Sequence, residues 1–268
     1  MQKDGRRHCY DHFIIPHGPR LSWRRVPNPK HKDLTSMNYK VRTHPRARHV
    51  RLRVEPQGTV LITVPRGFDR SRLPALVAER RGWIEQVRQR LNEARPCAER
   101  AGFMPERIDL PALGERWTVH YSDNPSGRLR LVEHAGEQSL ACHGQPAAPA
   151  VAELLRDWLK RRARATLVPR VSVLAAVHGF RPGKVTIRNQ KSRWGSCSAR
   201  GSLSLNARLL FLSPTACDSV LLHELVHTEH LDHSPAFWAR LAEVDPACQR
   251  SKQELKSAWL ALPDWVWV

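Results

Sequence analysis

Long apolar runs are absent from this sequence of 268 residues. The longest candidates, at 171–177 and 220–226, are far shorter than the roughly 18 apolar residues of a membrane-spanning helix. The N-terminus, MQKDGRRHCYDHF, is charged and has no apolar core of the kind that a secretory signal requires. We therefore expect a cytoplasmic protein that has no membrane partner.

Cysteine motifs are absent as well, because no two of the six cysteines form a C-x-x-C pair. This spacing argues against a disulfide framework and against a zinc knuckle built from cysteines. It predicts free thiols in a reducing compartment.

Acidic residues are few relative to basic ones, and the net charge is +19. The charge is uneven, with +9 in residues 1–50 and +10 in residues 151–200. Segments of this charge attract nucleic acid, nucleotides or other polyanions. A solvated surface of an arginine-rich protein would have the same composition, so both interpretations stay open.

The order of sequence patterns predicts an α+β protein with three regions. Residues 1–36 contain paired basic residues and several prolines, and we expect a disordered tail there. Residues 37–142 form a β-rich N-terminal region with one helix. A connector at 143–150 then precedes a second domain at residues 150–268.

Four local patterns describe the β-rich region. Alternating apolar residues on both sides of Pro56-Gln57-Gly58 predict a β-hairpin. A helix at Ser71–Leu91 follows, capped by Asp69 or Ser71. The segments ERWTVHY and GRLRLVE predict two further strands, joined by a turn at 123–127.

The second domain is predicted to begin with two helices. The first spans Ala152–Leu167, and the second ends near His178-Gly179, where the glycine suits a C-cap. Strands follow, with a hairpin that turns at Arg200-Gly201. Serine followed by proline, at residues 213–214 and 234–235, marks the starts of two more helices.

The motif His-Glu-x-x-His, at His223, Glu224 and His227, lies inside an apolar segment of this domain. On a helix, residues i and i+4 lie one turn apart on the same face, so the two histidines can hold one divalent ion. Zinc sites for hydrolysis combine neutral imidazoles, an open coordination position and a carboxylate that accepts a proton from water. The motif therefore predicts a zinc-dependent hydrolase.

Two further histidines, His230 and His233, compete for the third ligand position. On a straight helix His230 would lie about 4.5 Å beyond His227 along the axis, too far to reach an ion held between His223 and His227. The chain must turn before the Ser234-Pro235 helix start, and that turn can bring His233 back over the ion. We therefore favour His223, His227 and His233 as the zinc ligands, with one position left for water.

The surrounding residues limit the type of zinc hydrolase. Metzincins carry a glycine two residues after the second histidine and a later methionine turn, whereas this chain has Glu229 there and every methionine precedes the helix. No tyrosine is placed to stabilise an oxyanion, because all three lie far upstream. Arg193 and Trp194 are candidates for cleft contacts, although a surface ion pair and a core position explain them equally well. For Cys197 we favour a small buried position in the hairpin over one near the metal.

Two motifs, VLLHELVHTEHLDHSPAFW and QKSRWGSCSARGSLSLNARLLFL, resemble the YgjP-like metal-dependent hydrolases, a family related in motif to the SprT and WLM families. The resemblance extends over roughly residues 39–260. It implies a zincin-like metallopeptidase domain at residues 150–268, in which the HExxH helix packs on a small β-sheet. It further implies zinc ligands at His223, His227 and His233, a catalytic Glu224, and a cleft bordered by the RWGSCS strand.

Three functions are consistent with these observations. The first is a metallopeptidase that acts on proteins or peptides, in which Glu224 activates a zinc-bound water. The second is a metal-dependent hydrolase of nucleotide phosphoanhydrides, suggested by the basic charge of residues 151–200. The third is a nucleic-acid-associated protein that uses its basic regions, with zinc in a structural role.

Overall fold

The computed structural model describes residues 39–45, 47–55, 58–93, 104–122, 127–191 and 193–267. These residues divide into two compact units, an N-terminal unit at 39–93 and a C-terminal unit at 104–267. The expected tail at 1–36 lies outside the described residues. Within the described ranges, every helix is too short or too polar to cross a membrane.

The N-terminal unit contains a three-stranded sheet in the order β1-β3-β2. Its strands are β1 (Tyr39–Thr43), β2 (Arg51–Val54) and β3 (Val60–Val64). The antiparallel pairing of β2 with β3 confirms the predicted hairpin, although Pro56 and Gln57 of its turn lie outside the described residues. The parallel pairing of β1 with β3 was not predicted. Alternation explains the core, because every second residue of the hairpin strands is buried: Leu52, Val54, Val60, Ile62 and Val64.

The predicted single helix of this unit is divided in two. A short 3-10 turn is followed by α1 (Leu73–Glu79) and α2 (Arg81–Glu93). The N–H of Arg80 bonds to the oxygen of Val77, and this tighter hydrogen bond ends α1. Asp69 is the N-terminal cap, since its side chain accepts from the N–H of Ser71 at 3.0 Å.

The C-terminal unit begins with a four-stranded sheet in the order β4-β5-β7-β6. The strands are β4 (Arg107–Leu110), β5 (Glu115–Ser122), β6 (Arg130–His134) and β7 (Ser139–His143). Both strands predicted here are confirmed as β5 and β6. They are not neighbours, however, because β7 lies between them and pairs in parallel with β5.

One helix, α3 (Ala148–His178), replaces the two helices that were predicted. Pro169 lies inside it, and apolar side chains are buried on both sides at Leu167 and Val171. Packing of this buried face outweighs the hydrogen bond that the proline removes. The helix ends at Gly179 in a left-handed conformation with φ of 78°, which confirms the predicted C-cap.

Helix α3 packs against the four-stranded sheet of the same unit. The indole of Trp117 on β5 meets that of Trp158 edge to face, with ring centroids 5.1 Å apart. Arg162 forms a bidentate ion pair with Glu115. The sheet at residues 107–143 thus belongs to the same compact unit as α3, whereas the sequence suggested a boundary between them.

A second sheet and three helices complete the unit. The sheet has the order β8-β10-β9, with β8 (Val185–Arg188), β9 (Gly195–Cys197) and β10 (Leu203–Asn206). The hairpin of β9 and β10 turns at Gly201, with φ of 71°, as predicted. After it come the helices α4 (Pro214–Val226), α5 (Pro235–Val244) and α6 (Cys248–Ala261), and both α5 and α6 pack on α4. The architecture is α+β.

Candidate metal centre

Helix α4 is a core helix that delivers the first histidine. Its N-terminus is capped as predicted, because the Ser213 hydroxyl accepts from the N–H of Ala216 at 3.2 Å. The Glu254 carboxylate accepts in turn from the Ser213 N–H and hydroxyl, which ties α4 to α6. Apolar residues surround the helix, and the His223 side chain in its last turn is only 2% exposed.

The second histidine lies at the end of this helix. Helix α4 ends at Val226, and His227 is its C-cap residue, with φ of −65° and ψ of −13°. These angles are still right-handed helical, so the one-turn spacing between His223 and His227 that the motif predicts is kept. Nδ1 of His227 donates to the main-chain oxygen of His230 at 2.9 Å. Because that nitrogen carries the proton, the neutral ring presents the lone pair of Nε2 as a ligand.

Three ring nitrogens converge at one point. Nε2 of His223 lies 3.1 Å from Nε2 of His227 and 3.2 Å from Nε2 of His233. Among the described residues, only these three histidines form a group of potential metal ligands, with all ligand atoms within 4.8 Å of one another. Tetrahedral zinc with Zn–N bonds of 2.0–2.1 Å places its nitrogen ligands about 3.4 Å apart. The observed spacing fits such an ion.

His233 reaches this point because the chain turns between α4 and α5. Asp232 accepts from the N–H of Ser234 at 3.1 Å, and Ser234 caps α5 through the N–H of Phe237. This turn brings the His233 ring next to those of His223 and His227, with centroids 5.2 and 4.6 Å away. His230 is not part of this group of histidines. Its main-chain oxygen accepts the hydrogen bond from Nδ1 of His227. The helix ends before His230. The distance along a straight helix axis is therefore not the reason why His230 lies outside the group.

Phe237, on the first turn of α5, is a residue of the site that sequence reasoning missed. Its ring is fully buried, and its centroid lies 4.5–4.8 Å from the ring centroids of all three histidines. The neighbouring Trp238 stacks on His233 with centroids 5.7 Å apart. These two aromatic residues restrict the ring orientations of the histidines. The helix start at Ser234-Pro235 was the sequence signal that could have placed these two aromatic residues beside His233.

The carboxylate of Glu224 lies against the RWGSCS strand. A Cβ atom added to Gly195 would lie 2.7 Å from Cγ and from Oε1 of Glu224. Such distances leave no room for a side chain on the first residue of β9. Glu224 itself is only 4% exposed, which leaves its carboxylate little freedom to move away. The absence of a side chain at Gly195 therefore lets the strand pass directly over the carboxylate.

A buried asparagine positions the segment that leads into β9, and sequence reasoning missed this residue too. The Asn206 side chain donates to the main-chain oxygens of Gln190 and Arg193, both at 2.8 Å. The main-chain N–H of Asn206 donates to the main-chain oxygen of Trp194 at 2.8 Å. These bonds fix the direction in which the chain approaches Gly195.

The three other candidates near the cleft have different environments. Arg193 is exposed, whereas Trp194 is buried and meets Trp259 edge to face at 4.6 Å, which makes it a core residue. Cys197 is half-buried rather than fully buried. Desolvation, with a smaller effect from the Glu224 charge, raises the pKa of the Cys197 thiol to about 11. This thiol is therefore protonated, and a poor metal ligand, at neutral pH.

Comparisons with known proteins agree with this geometry. A family model described as YgjP-like, metallopeptidase domain, matches residues 48–258, which are 211 of the 268 residues. No curated protein and no solved structure matches the chain. The matched range includes all three converging histidines and Glu224. The chain belongs to the YgjP-like family of metallopeptidase domains, which are metal-dependent hydrolases.

Proposed function

We propose that the protein is a zinc-dependent peptidase with a zincin-like catalytic domain. In this proposal His223, His227 and His233 hold the ion, and Glu224 is the general base. The observation that carries it is the convergence of three Nε2 atoms, at 3.1 and 3.2 Å, next to a buried glutamate. Three neutral imidazoles are a donor set that suits zinc and leaves one coordination position open.

The chemistry is divided between the ion and the protein. When bound, zinc lowers the pKa of water to about 7 and polarises a carbonyl group. The Glu224 carboxylate accepts the proton of the attacking water and then delivers it to the leaving amine. The contact with Gly195 holds that carboxylate in one place through both transfers.

The position of β9 supports a peptide as the substrate. Among the described strands β9 pairs only with β10, so its other edge offers main-chain N–H and C=O groups. An extended peptide can add to such an edge as a further strand. Because Gly195 of this strand contacts Glu224, a peptide bound there would lie beside the general base.

Metal analysis and cleavage of an unfolded polypeptide such as casein test the proposal. Wild-type protein is expected to hold one zinc ion per chain and to cleave the substrate. Glu224→Gln should keep the zinc and lose turnover, since the amide cannot accept a proton. Full activity of this variant would refute the assigned role of Glu224.

A matched pair of variants tests the ligand set. His233→Ala should lose zinc, because it removes one of three ligands. His230→Ala should keep zinc, since His230 contributes its main-chain oxygen to the site and alanine has the same oxygen. Loss of zinc from His230→Ala alone would overturn the ligand assignment.

Hydrolysis of nucleotide phosphoanhydrides is a second candidate. The segment that leads into β9 has two exposed cations, Lys191 and Arg193, and cations beside a metal can hold phosphates. Assays with casein and with nucleoside triphosphates on the same zinc-loaded preparation separate the candidates. Phosphate or pyrophosphate release without peptide cleavage, abolished by Glu224→Gln, would favour the second.

A further inference from the structure

The outer face of the N-terminal sheet, opposite its buried core, is strongly basic. Strand register places Lys40, Leu61 and Arg53 in one row across the sheet, and Arg42, Thr63 and Arg51 in the next. We call these six residues the basic face. The strands contribute four cations and no carboxylate to it.

Most of this charge is accessible. Lys40, Arg42 and Arg51 are exposed, whereas the Arg53 side chain is 16% exposed and pairs with Glu55 at 3.1 Å. Three of the four cations are therefore available to a partner. The opposite side of the strands is closed by the apolar core, so the basic face is the side of the sheet that can meet another molecule.

The basic face belongs to a unit of high positive charge density. Residues 39–93 contain 13 Lys and Arg and 5 Asp and Glu, a net charge of +8 in 55 residues. Residues 104–267 contain 21 and 16, a net charge of +5 in 164 residues. The excess of positive charge is thus concentrated in the unit that does not contain the three histidines.

We propose that the basic face binds the phosphate backbone of duplex DNA. Its cations lie on β1 and β2, two strand spacings or about 9.5 Å apart, and about 7 Å apart along each strand. Such a two-dimensional array meets a duplex, with its two lines of phosphates, better than one line of phosphates. The face has no aromatic side chain for the base stacking that single-strand binders use. Thr63 is the one residue of the face whose side chain can accept a hydrogen bond from a 2′-OH group of RNA.

The test measures binding of full-length protein to a fluorescent DNA duplex of mixed sequence between 50 and 200 mM salt. The face variant carries Lys40→Gln, Arg42→Gln and Arg51→Gln. The slope of log K against log salt is negative, and each lost phosphate contact reduces its magnitude by about 0.9. The magnitude should therefore be about 2.7 smaller in the face variant. Wild-type affinity should then drop about 40-fold more than that of the variant over this range.

The matched control removes the same charge from exposed residues elsewhere in the unit. It carries Arg66→Gln, Arg81→Gln and Arg90→Gln, and it should keep the wild-type slope. Because both variants retain the rest of the chain, other basic segments contribute equally to each. Circular dichroism verifies the fold, and zinc content and casein cleavage, which depend on the other unit, should not change in either variant.

Three results would overturn the proposal. An unchanged slope in the face variant would exclude the face, and an equal decrease in both variants would show that only net charge matters. Tighter binding of duplex RNA or of single-stranded DNA than of the DNA duplex would reject the assigned partner. If the triple variant does not fold, Arg51→Gln alone should still lower the slope by about 0.9, and an unchanged slope would count against the face.

Discussion

Replacing Gly195 with alanine is expected to damage catalysis without removing the metal. The added Cβ would lie 2.7 Å from Cγ and Oε1 of Glu224, about 0.7 Å closer than the 3.4 Å at which ordinary van der Waals contact begins. Glu224 is buried and cannot swing into solvent, so either its carboxylate or β9 must move by a comparable distance. A misplacement of about 1 Å can reduce a rate by about 100-fold. We therefore expect kcat/KM to fall by roughly 10- to 100-fold.

Casein-type peptide cleavage, zinc stoichiometry and urea unfolding measure this prediction together. Zinc content should stay at the wild-type value, because Glu224 is not one of the three converging histidines. Overpacking should lower the free energy of unfolding by about 1–3 kcal/mol. Gly136→Ala is the matched control, since a Cβ there has no neighbour within 4 Å. It should leave kcat/KM and the free energy of unfolding unchanged. Wild-type kcat/KM in Gly195→Ala, or loss of its zinc, would refute the reasoning.

Three further predictions concern residues around the site. Phe237→Leu removes the ring that contacts all three histidines, and zinc affinity, measured by competition with a chelator, should fall about 10-fold. Asn206→Ala removes the side-chain donor to the main-chain oxygens of Arg193 and Gln190, and Gln190 keeps only its bond from the Arg208 guanidinium. Urea unfolding should show a loss of about 1–3 kcal/mol. Burial raises the pKa of the Cys217 thiol to about 12, so the folded state keeps this proton more tightly than the unfolded state. The free energy of unfolding is therefore unaffected by this thiol below the ordinary thiol pKa of about 9. It should fall as the pH rises above that value, by about 1.4 kcal/mol at pH 10.

Each of these has an outcome that would contradict it. Unchanged zinc affinity in Phe237→Leu would show that the histidines are oriented without the ring. A free energy of unfolding within 0.5 kcal/mol of wild type would exclude a clamping role for Asn206, as about 0.5 kcal/mol is the usual effect of a neutral surface change. Between pH 8 and 10 the free energy of unfolding should decrease less in Cys217→Ala than in wild type. If the two proteins show parallel curves of unfolding free energy against pH, the thiol is not the cause.

Features that depend on neighbours in the chain were predictable. The caps at Ser213 and Ser234 depend on hydrogen bonds to residues three positions away, so serine followed by proline was sufficient to place them. The hairpin of β2 and β3 depends on alternation and a short turn, and it was also confirmed. The convergence of His223, His227 and His233 followed from an i,i+4 spacing and a turn.

Errors arose where distant packing competes with local preference. The first helix of the second domain was predicted to end at Leu167, yet α3 continues through Pro169 because buried side chains lie on both sides of the proline. The parallel strand pairs β1 with β3 and β5 with β7 join segments that local alternation cannot relate, so neither pair was predicted.

The sequence by itself therefore determined the chemical groups of the site, because its histidines and glutamate lie within eleven residues of one another. Only the tertiary structure decided what surrounds them. The close approach of Gly195 to Glu224 and the clamp of Asn206 depend on contacts between residues 13 or more positions apart. The basic face similarly requires the register of three strands. Such contacts exist only after the whole chain has packed, since no local pattern of spacing or charge specifies which distant segments meet.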